Sequence, residues 1–280
     1  MPLAPNDFNF IKDLVYRESG IFLEAGKDYL VDARLTALLS KVGCASIPEL
    51  VIKLRAPASM ELKRQVVEAM TTNETSFFRD IKPFDVLRTT VLPDLIKRRG
   101  ISKSLSIWCA ASSTGQEPYT IAMCLDQAIP DLAKWNINFI ASDFSRQMIE
   151  RSRAGRFSQI EVNRGLPIQM LVKHFKQHGQ DWEISEKLRK LVSFRELNLL
   201  QAWPGIADLD IVFIRNVLIY FDLETKKQIL GRIRRLMKPD AYLFLGGAET
   251  TLNVDDGYER LPVDRSGCYR IKGASIALAA

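Results

Sequence analysis

The chain has 280 residues, 47% of them hydrophobic, which supports a substantial core and is too long for one minimal domain. Its 39 Lys and Arg against 33 Asp and Glu give a formal charge of +6, spread along the chain rather than gathered in runs, which permits an anionic partner without specifying one. Cys44, Cys109, Cys124 and Cys268 are widely spaced with no CxxC pair, and His174 and His178 sit beside no nucleophile signature, so a zinc site, a disulfide framework and a His-dependent triad all lack support. The start MPLAPNDFNF has no basic segment leading into an apolar one, and no apolar run approaches the roughly 20 residues that span a bilayer. A cytoplasmic protein with no membrane insertion and no metal is the expectation.

From Asn6 to about Met70 apolar residues recur every three and four positions, as in YLVDARLTALLSKV, and nothing alternates as a strand would. Residues 1–72 are therefore expected to form a small all-helical domain of three or four helices. Gly20 and Gly43 are stop signals, and Ser46 is a cap with Pro48 in the following turn. Asp80 is then expected to cap a helix that carries Pro83 in its first turn and runs to Gly100.

Beyond it, short apolar runs alternate with amphipathic ones. Strands are expected at 104–111, 136–142, LVSFREL, LDIVFIRNV and AYLFLGG, and helices at 118–129, RQMIERSRAG and ETKKQILGRIRRLMK. This alternation predicts an α/β, doubly wound, parallel sheet over residues 73–280, with GCYRI returning antiparallel. Residues 156–190 break the pattern and point to an inserted subdomain.

In such a sheet ligands lie beyond the carboxyl ends of the strands. The first end is AASSTGQEPYT, where small residues allow close approach and Gly115 tolerates a positive φ. It is neither GxGxxG nor GxxxxGK[ST], so phosphate is not indicated. Glu117 there is either a ligand group or a complement to the helix dipole. The second end, IASDFS, holds Asp143, suited to ribose hydroxyls or to capping a helix. The third, DIVFIRNVLIYFD, interrupts an apolar run with Arg215 and Asn216, which need partners if buried. Tyr220 follows, as a hydroxyl for the same cleft or an aromatic anchor. A fourth, FRELNLL, offers Asn198, also readable as a turn residue.

NETSFFRD, STGQEPYTIAM, ASDFS, LNLL and IRNVLIYFD occur in an order and spacing that resembles the chemotaxis receptor methyltransferases (CheR). These are protein-glutamate O-methyltransferases that use S-adenosylmethionine. The resemblance covers nearly the whole chain and implies a helical N-terminal domain, a Rossmann-like methyltransferase domain, and a small antiparallel β-subdomain inserted within about 156–195. It implies that Asn73, Thr75, Arg79, Glu117, Asp143, Asn198, Leu199, Arg215 and Asn216 contact S-adenosylmethionine, with S-adenosylhomocysteine as product. Arg79 and Tyr220 match the positions nearest the transferred methyl. The family often has Cys or Gly where Ser112 stands and Glu where Gln116 stands. The implied partner is the cytoplasmic signalling domain of methyl-accepting chemoreceptors, with Lys53, Arg55, Lys63 and Arg64 either facing its acidic helices or forming a solvated face. A nucleic-acid methyltransferase is the alternative substrate class, but NVLIY lacks a Pro-Pro signature and no basic, aromatic-interleaved tract is present. A degenerate, non-enzymatic scaffold is a third reading, disfavoured because the matched residues remain. Within TTNETSFFRD an extended register is expected, with Asn73, Thr75 and Arg79 on one side and Phe78 on the other.

Overall fold

The computed structural model describes residues 4–24, 26–263 and 266–273. The chain divides into two compact units, residues 1–72 with 220–225, and residues 73–219 with 226–280.

The first unit holds α1 (Pro5–Ser19), α2 (Asp28–Leu39), α3 (Ile47–Arg55) and α4 (Met60–Met70). Each buries a stripe at helical spacing: Ile11, Leu14 and Val15 on α1, Val31 and Leu35 on α2, Leu50 and Leu54 on α3, Val66, Val67 and Met70 on α4. The expected Gly20 stop and Ser46 cap hold, whereas α2 ends at Leu39 with Ser40 as its cap, ahead of Gly43. Gly20 is left-handed, its N–H donating to the Tyr16 carbonyl, and Ser46 caps α3 by accepting from the Glu49 N–H. Residues 220–225 join this unit through an antiparallel bridge between Ile21 and Phe221, with the Phe22 N–H donating to the Tyr220 carbonyl at 2.8 Å.

In the second unit α5 (Lys82–Val86) leads through a π-helical turn, Leu87–Val91, into α6 (Leu92–Arg99). The single helix expected from 80 to 100 is thus interrupted. Pro93 has no N–H to give the Thr89 carbonyl, and the Leu92 N–H reaches back five residues to Leu87 instead. Then come β1 (Ser104–Ala110), α7 (Gln116–Ala128), β2 (Asn136–Asp143) and α8 (Arg146–Ala154). The following region alternates short elements: β3 (Arg156–Ser158), α9 (Gln159–Asn163), α10 (Ile168–His174), β4 (Phe175–His178), β5 (Asp181–Ile184) and α11 (Glu186–Leu191). The chain closes with β6 (Val192–Glu196), β7 (Leu209–Ile214), α12 (Leu223–Leu236), β8 (Met237–Leu245), β9 (Tyr258–Arg260) and β10 (Cys268–Ile271).

Seven strands form one sheet in the order β6-β2-β1-β7-β8-β10-β9, with β10 antiparallel to both its neighbours, β8 and β9, and the other pairings parallel. β3, β5 and β4 form a separate antiparallel sheet. β9 had no sequence signal. All six residues of β7 are buried, as befits a central strand covered on both faces. The register sets Phe213 beside Phe244, rings stacked at 4.3 Å, with Phe84 against Phe213 at 5.9 Å. Because strand order reverses between β1 and β7, the connections leave in opposite directions there and open a crevice at the carboxyl ends.

Candidate active site

Of the nine non-glycine residues with positive φ among those described, six stand in the loops at this end: Phe78, Asp80, Ile81, Ala111, Ser113 and Asn216. Such conformations are costly for L-residues and persist where surrounding contacts over-determine them.

The stretch 73–80 is bolted to the loop after β1. Ser113 Oγ donates to the Asn73 carbonyl at 2.7 Å, and the Phe78 N–H donates to Thr120 Oγ1 of α7 at 3.2 Å. The extended register expected through Arg79 is corrected here: the segment has no regular secondary structure over 72–76 and turns over 77–80. Both phenylalanines are buried as a result. Phe77 packs edge-on to Phe157 and Phe175 at 5.0 and 5.6 Å, and Phe78 to Phe84 at 5.6 Å. Arg79 folds back to donate to the Glu74 carbonyl at 2.9 Å. Asp80 is not a helix cap either. Its carboxylate pairs with Arg215 at 2.7 Å, and Ile81 stands before α5 without a side-chain cap.

Arg215, at the end of β7, has a wholly buried side chain. It binds Asp80, the Glu117 carboxylate at 2.6 Å and the Arg79 carbonyl at 3.2 Å, so one fork ties the end of β7 to the turn at 79–80 and to the first turn of α7. The same Glu117 accepts from the Cys109 thiol at 3.4 Å. Burial first, and this carboxylate second, push the Cys109 thiol well above its usual range. All four cysteines are free and buried.

Asp143 closes the neighbouring turn. One oxygen accepts from the Ser113 N–H at 2.8 Å and the other from the Ser145 N–H at 2.9 Å. Gly115, at φ 98°, starts α7, and a Cβ there would meet Ser152 Oγ at 3.1 Å and the Tyr119 ring at 3.2 Å. Asn198 makes a local turn, its Oδ1 accepting from the Leu200 N–H at 2.9 Å, while the Leu199 carbonyl accepts from Arg232. Asn216 is left-handed at φ 57°.

Asn73 and Thr75 line a cavity of about 300 Å³ with Thr114, Gln116 and Met148. The other expected contact residues are not among its walls. They gather instead as the Arg215–Glu117–Asp80 cluster, the Asp143 turn and the Asn198 turn. Ser112 Oγ and Arg215 Nε are buried with no hydrogen-bond partner, one after β1 and one after β7.

Tyr220 ends a short 3-10 turn and groups with the helical unit. In that unit too lie the four basic residues. Lys53 pairs with Glu49, Arg55 lies over the Phe10 ring at 4.3 Å, and Arg64 pairs with Glu61 and Glu68. Lys63 is half-buried.

One residue escaped sequence reasoning. Glu249, buried, follows β8 and accepts N–H bonds from Asn216 at 2.8 Å, Val217 at 2.9 Å, Leu218 at 2.7 Å and Gly246 at 2.7 Å. The signal is in the sequence: an acid just past the apolar run AYLFLGG. Among the described residues no cluster of His, Cys, Asp and Glu suits a metal, and no helix is long and apolar enough to cross a membrane.

Comparison with known proteins agrees with this architecture. The family model for the CheR methyltransferase SAM-binding domain matches residues 73–266, and that for the CheR methyltransferase all-alpha domain matches residues 6–71. The chain is 39% identical over 276 residues to Chemotaxis protein methyltransferase 1 of Pseudomonas aeruginosa, covering 97% of this chain and 100% of the relative. It is 38% identical over 270 residues to Chemotaxis protein methyltransferase Cher2 of Pseudomonas putida, covering 95% and 98%. A Chemotaxis protein methyltransferase of Vibrio parahaemolyticus is 35% identical over 274 residues, covering 94% and 98%. The chain therefore belongs to the CheR methyltransferase family, and its cofactor is S-adenosylmethionine.

Proposed function

We propose that the chain methylates glutamate side-chain carboxylates on the cytoplasmic signalling domain of methyl-accepting chemoreceptors, giving glutamate methyl esters and S-adenosylhomocysteine. The observation that carries this reading is a crevice furnished with Arg, Asn, Asp and Glu, in which Glu117 and Asp80 are already engaged by Arg215 and Asp143 by backbone amides, and to which no histidine contributes. The chain's two histidines lie in α10 and β4, outside the loops at the strand ends. A glutamate acceptor has a pKa of about 4.3 and is already ionised at neutral pH, so it needs no proton removed before it attacks.

S-adenosylmethionine, when bound, supplies an electrophilic sulfonium methyl. The unpartnered Ser112 Oγ and Arg215 Nε fit a polar cofactor across β1 and β7. Asn73, Thr75, Glu117, Asp143, Asn198 with Leu199, and Arg215 with Asn216 are the residues proposed to hold it. Two of these act through other residues, since Asp143 fixes the Ser113 and Ser145 amides, and Arg215 fixes the Glu117 and Asp80 carboxylates. Arg79 spends one donor on the Glu74 carbonyl and has others with which to orient a carboxylate. Its role is positioning rather than tight pairing, because a strong salt bridge would stabilise the acceptor anion and slow its attack. Orientation of this kind can contribute up to about 7–11 kcal/mol. Tyr220 is assigned a hydroxyl contact near the transferred methyl.

The domain assignment is part of the proposal: residues 1–72 as the helical domain, 73–280 as the methyltransferase domain, and the β-subdomain inserted within 156–195. The relatives' names support a chemotaxis substrate. The test uses labelled S-adenosylmethionine with receptor signalling domain or nucleic acid as acceptor. Base-labile label on receptor glutamates is the expected result. Stable label on nucleic acid, or cofactor binding without transfer to either acceptor, would reject it.

A further inference from the structure

The loop after β7 is proposed above to contact the cofactor through Arg215 and Asn216, and what holds its backbone is Glu249. Four N–H groups, from Asn216, Val217, Leu218 and Gly246, converge on one buried carboxylate, two on each oxygen. Three are successive residues, a pattern that forces the chain into a tight nest and holds Asn216 in its left-handed conformation. The fourth comes from the end of β8, so the carboxylate also ties the ends of two neighbouring strands. The approach is close. A Cβ on Gly246 would fall 2.7 Å from Glu249 Oε2 and 2.8 Å from Asn216 Nδ2, so no other residue at 246 leaves the nest intact.

We propose that Glu249 is a positioning residue of the cofactor site, an internal anion that sets the backbone of residues 216–218 and, through it, the direction of the Asn216 side chain. A carboxylate is required by stoichiometry. A glutamine in its place keeps one acceptor oxygen but turns an NH2 donor on two N–H donors, leaving buried donors without acceptors. Alanine removes a CH2–COO− fragment the size of acetate, so the four amides of that variant form a vacated anion site that acetate should enter. This rests on the proposed role of the β7 loop, but not on the identity of the methyl acceptor.

Glu249→Gln and Glu249→Ala, made in the full chain, are assayed by calorimetric titration with S-adenosylhomocysteine, by thermal melting, and by KM and kcat. Asp210→Asn, a buried carboxylate at the opposite end of β7, is the control. Both Glu249 variants should weaken S-adenosylhomocysteine by about tenfold or more, the worth of a single charge-assisted hydrogen bond. KM for S-adenosylmethionine should rise more than kcat falls. Acetate, but not chloride at equal ionic strength, should restore affinity to Glu249→Ala in a saturable manner. Asp210→Asn should melt lower yet bind as the parent does. If Glu249→Ala does not fold, Glu249→Gln decides alone. Parental affinity in a folded Glu249 variant, or an equal loss of affinity in Asp210→Asn, would overturn the proposal. Failure of wild-type protein to methylate receptor while it still binds S-adenosylhomocysteine would instead overturn the assignment of the acceptor, leaving the affinity comparison intact.

Discussion

β7 carries a buried charge at each end, and the two are treated differently. At its start Asp210 is fully buried and fully satisfied, accepting from Arg99 at 2.9 Å, the Ser106 N–H at 2.9 Å and Lys238 at 2.7 Å. Arg99 goes on to Asp240, which also holds Arg98. At its finish Arg215 is equally buried and has two carboxylates, but its Nε has no partner and its neighbours adopt costly backbone conformations. A closed network ties helix and strand ends together, whereas an incompletely satisfied one keeps capacity for something that arrives.

The comparison breaks first at Arg215. Arg215→Met leaves the part-buried Glu117 beside an uncharged side chain and should cost about 3 kcal/mol of stability along with S-adenosylhomocysteine binding, both read by calorimetry. Arg215→Lys sharpens the point. A single ammonium cannot reproduce a fork to both Glu117 and Asp80, so affinity should fall more than melting temperature. Asp210→Asn should cost about 3 kcal/mol in chemical denaturation, at the low end because the amide keeps one acceptor, with affinity of the folded protein unchanged. Equal losses of affinity at the two ends would erase the distinction.

A smaller effect is set by pH. Burial works to raise the Asp240 carboxyl, but the hydrogen bond from Arg99 and the charges of Arg98 and Arg99 outweigh it and hold it below the ordinary aspartate range. A depressed folded pKa contributes stability that is present above the unfolded value of about 3.9 and disappears as pH falls through the lower folded one. Melting temperature should therefore drop more steeply in that acid window for the wild type than for Asp240→Asn. Parallel slopes would remove Asp240 from the account. The smallest effect belongs to the ion pair of Glu74 with Arg164, exposed on both sides, where Glu74→Gln should leave melting unchanged.

Much of this molecule was legible in its sequence, for reasons that differ by element. β1, β2, β7 and β8 announce themselves because a strand buried on both faces must be a continuous apolar run. Gly20, Ser46 and Gly115 do so because their backbone roles suit few other residues. The turn at Phe78–Ile81 was invisible, since a left-handed phenylalanine or isoleucine is held by tertiary contacts and leaves no compositional trace. The interruption of α5 and α6 was hidden by the good helical periodicity on either side of Pro93. For Asp80 the capping propensity was real, and it lost to a buried guanidinium 135 residues away in the chain. Glu249 is visible as an acid just past the apolar run AYLFLGG, but its role is not, because its four partners are backbone amides, which no side-chain pattern reports.

Glu249 and Glu117 together decide what the crevice can refuse. Helix N-termini and converging strand-end amides are where α/β folds commonly seat phosphate. Here the first turn of α7 carries Glu117, and the amides after β7 and β8 are occupied by Glu249. A nucleotide's phosphates would find these amides already taken by the chain's own anion. ATP should therefore compete poorly, and a competition titration in which ATP displaced S-adenosylhomocysteine with similar affinity would contradict it.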